Sequence, residues 1–151
     1  MRRPWSAKKT LMRAAYVSSS APKKELLQTV RDEVSALVVQ RIDPEDIAVL
    51  TLAGQQKSVL LQEGIGGGHR LVRADDQEAP KSMVADTFLR FKGLDRPFVI
   101  LTEVSRGSIS QYEKRMHIAI TRAMVGLTVV CTSQAVADDP RLAALIESDV
   151  Q

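Results

Sequence analysis

The chain of 151 residues has one cysteine, few aromatic side chains and no long apolar run. One cysteine forms no intramolecular disulfide, and the apolar surroundings of Cys131 favour a buried structural thiol over a nucleophile. With three Phe, two Tyr and one Trp, the core must consist mainly of Val, Leu, Ile and Ala. No stretch approaches the length of a membrane span, and the N-terminus lacks the apolar core of a signal peptide. We therefore expect a cytoplasmic protein without a membrane partner.

A phosphate-binding loop is also lacking, although residues 64–68 are rich in glycine. That loop needs a lysine and a serine or threonine directly after its last glycine, where a helix begins. Here His69 and Arg70 follow Gly68, which favours a plain turn. The chain also has no paired acids at a strand end, so the sequence predicts no metal site.

Acidic side chains are absent from the first 24 residues, which contain seven of the 21 basic ones. The remainder of the chain carries a net negative charge, since all 18 acidic side chains lie there. We predict a basic arm or linker over residues 1–20 and one domain over residues 21–151. Such an arm either contacts nucleic-acid phosphates without sequence preference or is a solvated leader.

Helical patterns recur along the chain. Apolar residues at helical spacing over residues 26–38 predict a helix that ends before Pro44. A short helix is expected over residues 55–63, and a terminal one from Pro140. Another is predicted from Ser110, where a capping box begins, to Gly126.

Strand patterns alternate with these helices. Residues 47–52 are apolar without alternation, which is typical of a strand buried on both faces of a parallel sheet. Further strands are predicted over residues 69–74, 83–87, 98–104 and 127–132. Alternating strands and helices predict an α/β fold with a mainly parallel sheet joined by right-handed crossovers.

Two segments carry the strongest functional signal. Residues 87–95 read Thr-Phe-Leu-Arg-Phe-Lys-Gly-Leu-Asp, and residues 112–123 read Tyr-Glu-Lys-Arg-Met-His-Ile-Ala-Ile-Thr-Arg-Ala. The second segment places Arg122 at the end of an apolar helical face. Arginine binds phosphate oxygens bidentately. Taken alone, an arginine at a helix C-terminus more often offsets the helix dipole and meets water.

Together with residues 46–60, these segments resemble motifs IV, V and VI of the UvrD-like superfamily 1 DNA helicases. The family patterns read roughly T-x-H-x-x-K-G-L-E, then an apolar strand, then Y-V-A-x-T-R-A, and the resemblance covers about residues 21–135. It implies a three-layer RecA-like fold, that of the C-terminal motor domain, which has no phosphate loop of its own. In this family ATP binds in a cleft between two such domains.

The resemblance implies that the chain is the C-terminal motor domain of an ATP-dependent DNA helicase or translocase. ATP and Mg²⁺ would bind only together with a partner, the N-terminal motor domain, and the isolated chain is not expected to hydrolyse ATP. Single-stranded DNA is the other implied partner. The alternative is a degenerate, non-catalytic helicase-like module that binds protein or nucleic acid.

The resemblance also implies a nucleotide site. Arg122 would be the arginine finger, which typically accelerates phosphoryl transfer by about 10³–10⁵. Gly93 would let the backbone approach the γ-phosphate, and Asp95, in place of the family's glutamate, would accept a hydrogen bond from the ribose. Gln56 matches a family glutamine. The alternatives are a helix-entry turn at Gly93 and a plain surface position for Gln56.

For the DNA strand, the matching positions are Thr87 and Lys92, whose hydroxyl and ammonium suit phosphate oxygens. A strand-end cap and a solvated charge are the alternatives. Three residues depart from the family pattern. Leu89 replaces a histidine, His117 replaces a tyrosine and is predicted at the edge of the core, and Leu52 replaces a phosphate-contacting arginine.

Overall fold

The computed structural model describes residues 11–18, 23–89, 95–105, 109 and 111–148. Within these ranges six strands form one sheet in which every pair is parallel. The strands are β1 (Leu11–Val17), β2 (Ile47–Thr51), β3 (Leu71–Val72), β4 (Met83–Thr87), β5 (Arg96–Thr102) and β6 (Ala123–Thr132). Their order across the sheet is β1-β6-β5-β2-β4-β3.

Five α-helices within the described ranges connect and flank these strands. They are α1 (Lys23–Val39), α2 (Val59–Glu63), α3 (Tyr112–Ile120), α4 (Ser133–Ala137) and α5 (Pro140–Ser148). Two short 3₁₀ helices, Pro44–Asp46 and Ala79–Lys81, lie before β2 and β4. Among the residues described, no helix is both long and apolar enough to cross a membrane.

The apolar core has two halves, one on each face of the sheet. On one face, Val30 and Val34 of α1 and Leu60 of α2 pack with Ile47, Val49 and Ile100. On the other face, α3, α4 and α5 contribute Met116, Ala119, Ala135, Leu142 and Ile146. The sheet therefore lies between two helical layers. The predicted three-layer α/β fold with a parallel sheet is confirmed.

The buried guanidinium of Arg96 fastens the amino ends of the central strands. Arg96 is 6% exposed. It donates hydrogen bonds to the carbonyl oxygens of Ile47 at 2.9 Å, Ser82 at 2.6 Å and Ala79 at 2.6 Å. One side chain thus holds the start of β5 against the start of β2 and the 3₁₀ turn before β4. This role was not predicted from the sequence.

Several predicted boundaries are wrong. Residues 11–17, expected in the basic arm, form edge strand β1, which pairs with β6. The helix predicted up to Gly126 ends at Ile120, and Gly126 lies inside β6. There the absence of a side chain makes room for Phe98, because a Cβ would lie 3.2 Å from its ring. The N-cap of α3 is Gln111 rather than Ser110. The strand predicted over residues 69–74 is limited to β3.

Candidate functional site

Arg122 and Asp95 meet at the amino edge of the sheet. Arg122 lies between α3 and β6, and its carbonyl accepts a hydrogen bond from the backbone N–H of Arg96 at 3.1 Å. Asp95 directly precedes β5. The Nη1 atom of Arg122 lies 3.7 Å from Oδ1 of Asp95. Two segments that are remote in sequence thus bring a cation and a carboxylate together at the starts of neighbouring strands.

The Arg122 side chain is turned toward the protein. It is 16% exposed, whereas that of Asp95 is 53% exposed. Its Nε is buried and has no hydrogen-bond partner among the described residues. The end of α3 explains this placement, because the backbone N–H of Arg122 donates to Ala119 O at 3.1 Å and closes the last turn. The guanidinium faces Asp95 and keeps one unused donor.

At the opposite, carboxyl edge of the sheet lies a cavity of about 1010 Å³, here called the carboxyl-edge cavity. Its walls come from the ends of β1, β2, β5 and β6. Residues 52–57, here called the cavity loop, form one side of it. Lys57 from this loop and Arg115 from α3 bring positive charge to the lining. The Arg115 guanidinium lies 5.8 Å from the ring centre of buried Phe88, an attractive cation–π distance.

Glu103, directly after β5, also lines this cavity and was not identified from the sequence. Its Oε1 accepts hydrogen bonds from the hydroxyls of Thr51, at 2.8 Å, and Ser58. Its Oε2 accepts one from the backbone N–H of Val59 at 2.9 Å. Its backbone has φ of 60°, a region that residues other than glycine seldom adopt. An acidic residue following a buried strand was the available signal, but its partners lie more than 40 residues away.

The predicted nucleotide residues do not all come together. Asp95 and Arg122 are adjacent, whereas Gln56 is exposed in the cavity loop at the other edge. A strand of seven residues such as β5 spans roughly 23 Å, so Gln56 cannot share their contacts. Gly93 lies outside the described residues.

Of the two residues predicted to face DNA, the structure describes Thr87, which lies at the carboxyl edge of the sheet. Thr87 ends β4 and is 8% exposed. Lys92 lies outside the described residues. Leu52 is fully buried in the core, and Lys57 is the exposed cation near it. His117 is exposed and lines a small cavity beside the buried core residues Met116 and Leu142.

The reactivity of Cys131 and the capacity to bind a metal ion also bear on the chemistry of the site. Cys131 is buried as predicted, and burial raises the pKa of its thiol from 9.0 to about 11, which disfavours the nucleophilic thiolate at neutral pH. Among the residues that the structure describes, no group of His, Cys, Asp and Glu side chains could hold a metal ion.

Comparisons with known proteins bear on the fold. No protein-family model matches the chain, and neither does any curated protein. Among solved structures, the chain is similar to the C-terminal domain of a possible DNA helicase from Lactobacillus plantarum WCFS1. The fold is shared with that domain. The TM-score is 0.58 at 17% sequence identity, and the match covers 82% of this chain and 73% of that one. At this identity the likeness shows the fold alone, a three-layer α/β fold consistent with a RecA-like domain, and the UvrD-like assignment stays a prediction.

Proposed function

We propose that this chain is the C-terminal motor domain of an ATP-dependent DNA helicase or translocase. The contact between Asp95 and Arg122 carries the proposal. These residues come from the two segments that resemble motifs V and VI, and they lie 3.7 Å apart at one edge of the sheet. The fold shared with the C-terminal domain of a possible DNA helicase supports the same conclusion.

The amino edge is the proposed nucleotide-facing edge. A cation there neutralises charge that develops on a transferred phosphoryl group. The buried Nε of Arg122 has no partner among the described residues, so turning the side chain toward a phosphate breaks no hydrogen bond of this atom. On this proposal Mg²⁺ and the phosphate loop are supplied by the partner domain. When the domains close, Arg122 exchanges its contact with Asp95 for one with phosphate, and Asp95 becomes free to bind the ribose.

The carboxyl edge is the proposed strand-binding edge. Lys57 and Arg115 bring positive charge to its cavity, and Thr87 ends β4 at the same edge. Phosphate contacts of this kind position a strand without reading its sequence. The nucleotide and the strand then bind at opposite edges of one rigid sheet. Domain closure over the nucleotide therefore moves the strand-binding edge as a unit.

A second candidate is the non-catalytic helicase-like module, and one observation favours it. The Arg122 side chain is only 16% exposed and already faces a carboxylate, as a structural ion pair does. In that case Arg122 stabilises the amino edge and takes no part in ATP hydrolysis.

Reconstitution distinguishes the two candidates. An N-terminal motor domain that carries the phosphate loop is mixed with this chain, and ATP hydrolysis is measured with and without single-stranded DNA. The motor-domain proposal predicts that the mixture hydrolyses ATP and that DNA stimulates it, while each domain alone is inactive. A mixture no more active than the N-terminal domain alone favours the non-catalytic module.

A further inference from the structure

We propose that Glu103 is a positioning residue that fixes the cavity loop in the conformation that binds a single strand. Glu103 acts through Gln56 and Lys57 and does not itself contact the strand. This inference rests on the proposed strand-binding role of the carboxyl edge. It adds a residue for which neither the sequence nor the motif resemblance suggested any role.

The hydrogen bonds of Glu103 join the two ends of the cavity loop. Thr51 directly precedes this loop and Ser58 directly follows it, and both hydroxyls donate to the same oxygen, Oε1. The second oxygen accepts from Val59 N at the start of α2. One carboxylate thus closes a loop of six residues at its base. Hydrogen bonds to a charged acceptor are roughly twice as strong as neutral ones.

The backbone of Glu103 indicates that these contacts determine its conformation. Its φ of 60° is unfavourable for a residue with a long side chain. Such conformations persist only where the surrounding structure fixes them, and they cluster at functional sites. The three donors supply that constraint, and a glycine would otherwise suit this position better.

The cavity loop has further contacts besides those to Glu103, since Leu52 N donates to Thr102 O at 3.2 Å and Gln62 Nε2 donates to Gln56 O. Its base is anchored by buried Leu52, and a turn forms where Lys57 N and Ser58 N both donate to Gly54 O at 3.0 Å. Gln56 and Lys57 are exposed and line the cavity. The spacing of these two side chains relative to Arg115 therefore depends on how the loop ends are fixed.

The substitution Glu103→Gln distinguishes a positioning role of the carboxylate from electrostatic repulsion of the DNA phosphates. If the carboxylate acted only by repelling phosphates, its removal would tighten the binding of a strand. Positioning predicts the opposite sign, because an amide offers one acceptor oxygen and turns a donor toward the others. We expect the Kd for a fluorescently labelled oligothymidylate to rise roughly tenfold, as for loss of a hydrogen bond to a charged group. Fluorescence anisotropy measures this change.

Amide hydrogen exchange provides a readout that does not depend on DNA. In Glu103→Gln we expect exchange at Ala53 and Val59 to accelerate roughly tenfold or more, while Ile100 in β5 keeps its protection. Unchanged protection at Ile100 shows that the fold is intact. Glu78→Gln is the matched control, since this exposed carboxylate pairs with Arg70 away from the cavity. It should alter neither measurement.

The outcomes are distinguishable. If the wild-type chain binds the oligothymidylate and Glu103→Gln binds it equally well or more tightly, only this inference is overturned. A wild-type chain that does not bind the oligothymidylate overturns both this inference and the proposed function at this edge. If Glu103→Gln does not fold, Thr51→Val removes one donor with little change of shape. It should then weaken strand binding and speed exchange at Val59, whose N–H donates to Glu103, and the absence of either effect overturns the inference.

Discussion

Arg122→Ala is expected to reduce the DNA-stimulated ATPase activity of the reconstituted motor by about 10³–10⁵, the usual effect of an arginine finger. Arg122→Lys should also lose most of the activity, because an ammonium cannot reproduce the two-pronged geometry of the guanidinium. Binding of oligothymidylate to the isolated chain should stay within about twofold, since the strand is proposed to bind at the opposite edge, roughly 23 Å away along β5. Steady-state ATPase assays and anisotropy measure the two effects.

Lys114→Ala is the control for this experiment. Lys114 is an exposed cation on α3, the helix that precedes Arg122, and its removal should leave hydrolysis unchanged. If Arg122→Ala keeps full stimulated activity but lowers the free energy of unfolding, its contact with Asp95 is purely structural. That result would favour the non-catalytic module.

Arg96→Met is expected to produce the largest loss of stability, about 3–5 kcal/mol in the free energy of unfolding. The three closest carbonyl oxygens, those of Ile47, Ser82 and Ala79, lose a buried charged donor, and each unpaired buried polar group costs about 1–3 kcal/mol. Methionine retains much of the apolar stem, so the effect reports mainly on the hydrogen bonds. Urea denaturation followed by circular dichroism measures it.

Arg70→Met provides the comparison. The side chain of Arg70 is 71% exposed and pairs with Glu78, itself 55% exposed. An exposed pair contributes little, so the change should stay below about 1 kcal/mol. A loss of less than about 1 kcal/mol for Arg96→Met as well would mean that Arg96 does not fasten the amino ends of the strands.

The central strands could be predicted from sequence because strands that are buried on both faces consist mainly of apolar residues. β2, β4 and β5 consist mainly of apolar residues, and each lies within two residues of its predicted start and end. β1 was missed because its side chains are half-exposed and include Arg13, so it resembles the basic segment before it. The end of α3 was missed because Gly126 resembled a helix stop. Its actual role depends on Phe98, which only the folded sheet brings near.

The candidate site was predicted only in part, because several of its contacts form only when the sheet assembles. Arg122 and Asp95 belong to recognisable segments, and the structure brings them together. Gln56 was assigned to the same site because sequence resemblance does not show at which edge of a sheet a loop lies. Glu103 was overlooked because its role depends on Thr51 and Ser58, which approach it only after β2 and β5 pair.

The separation of the nucleotide and strand edges is tested most directly by nuclear magnetic resonance of the ¹⁵N-labelled chain titrated with oligothymidylate. We predict that the backbone amides of Lys57, Glu103 and Thr132, which line the carboxyl-edge cavity, shift progressively. Those of Asp95 and Arg122 should stay in place. Shifts centred on Asp95 and Arg122, with the cavity amides unmoved, would contradict the proposed arrangement.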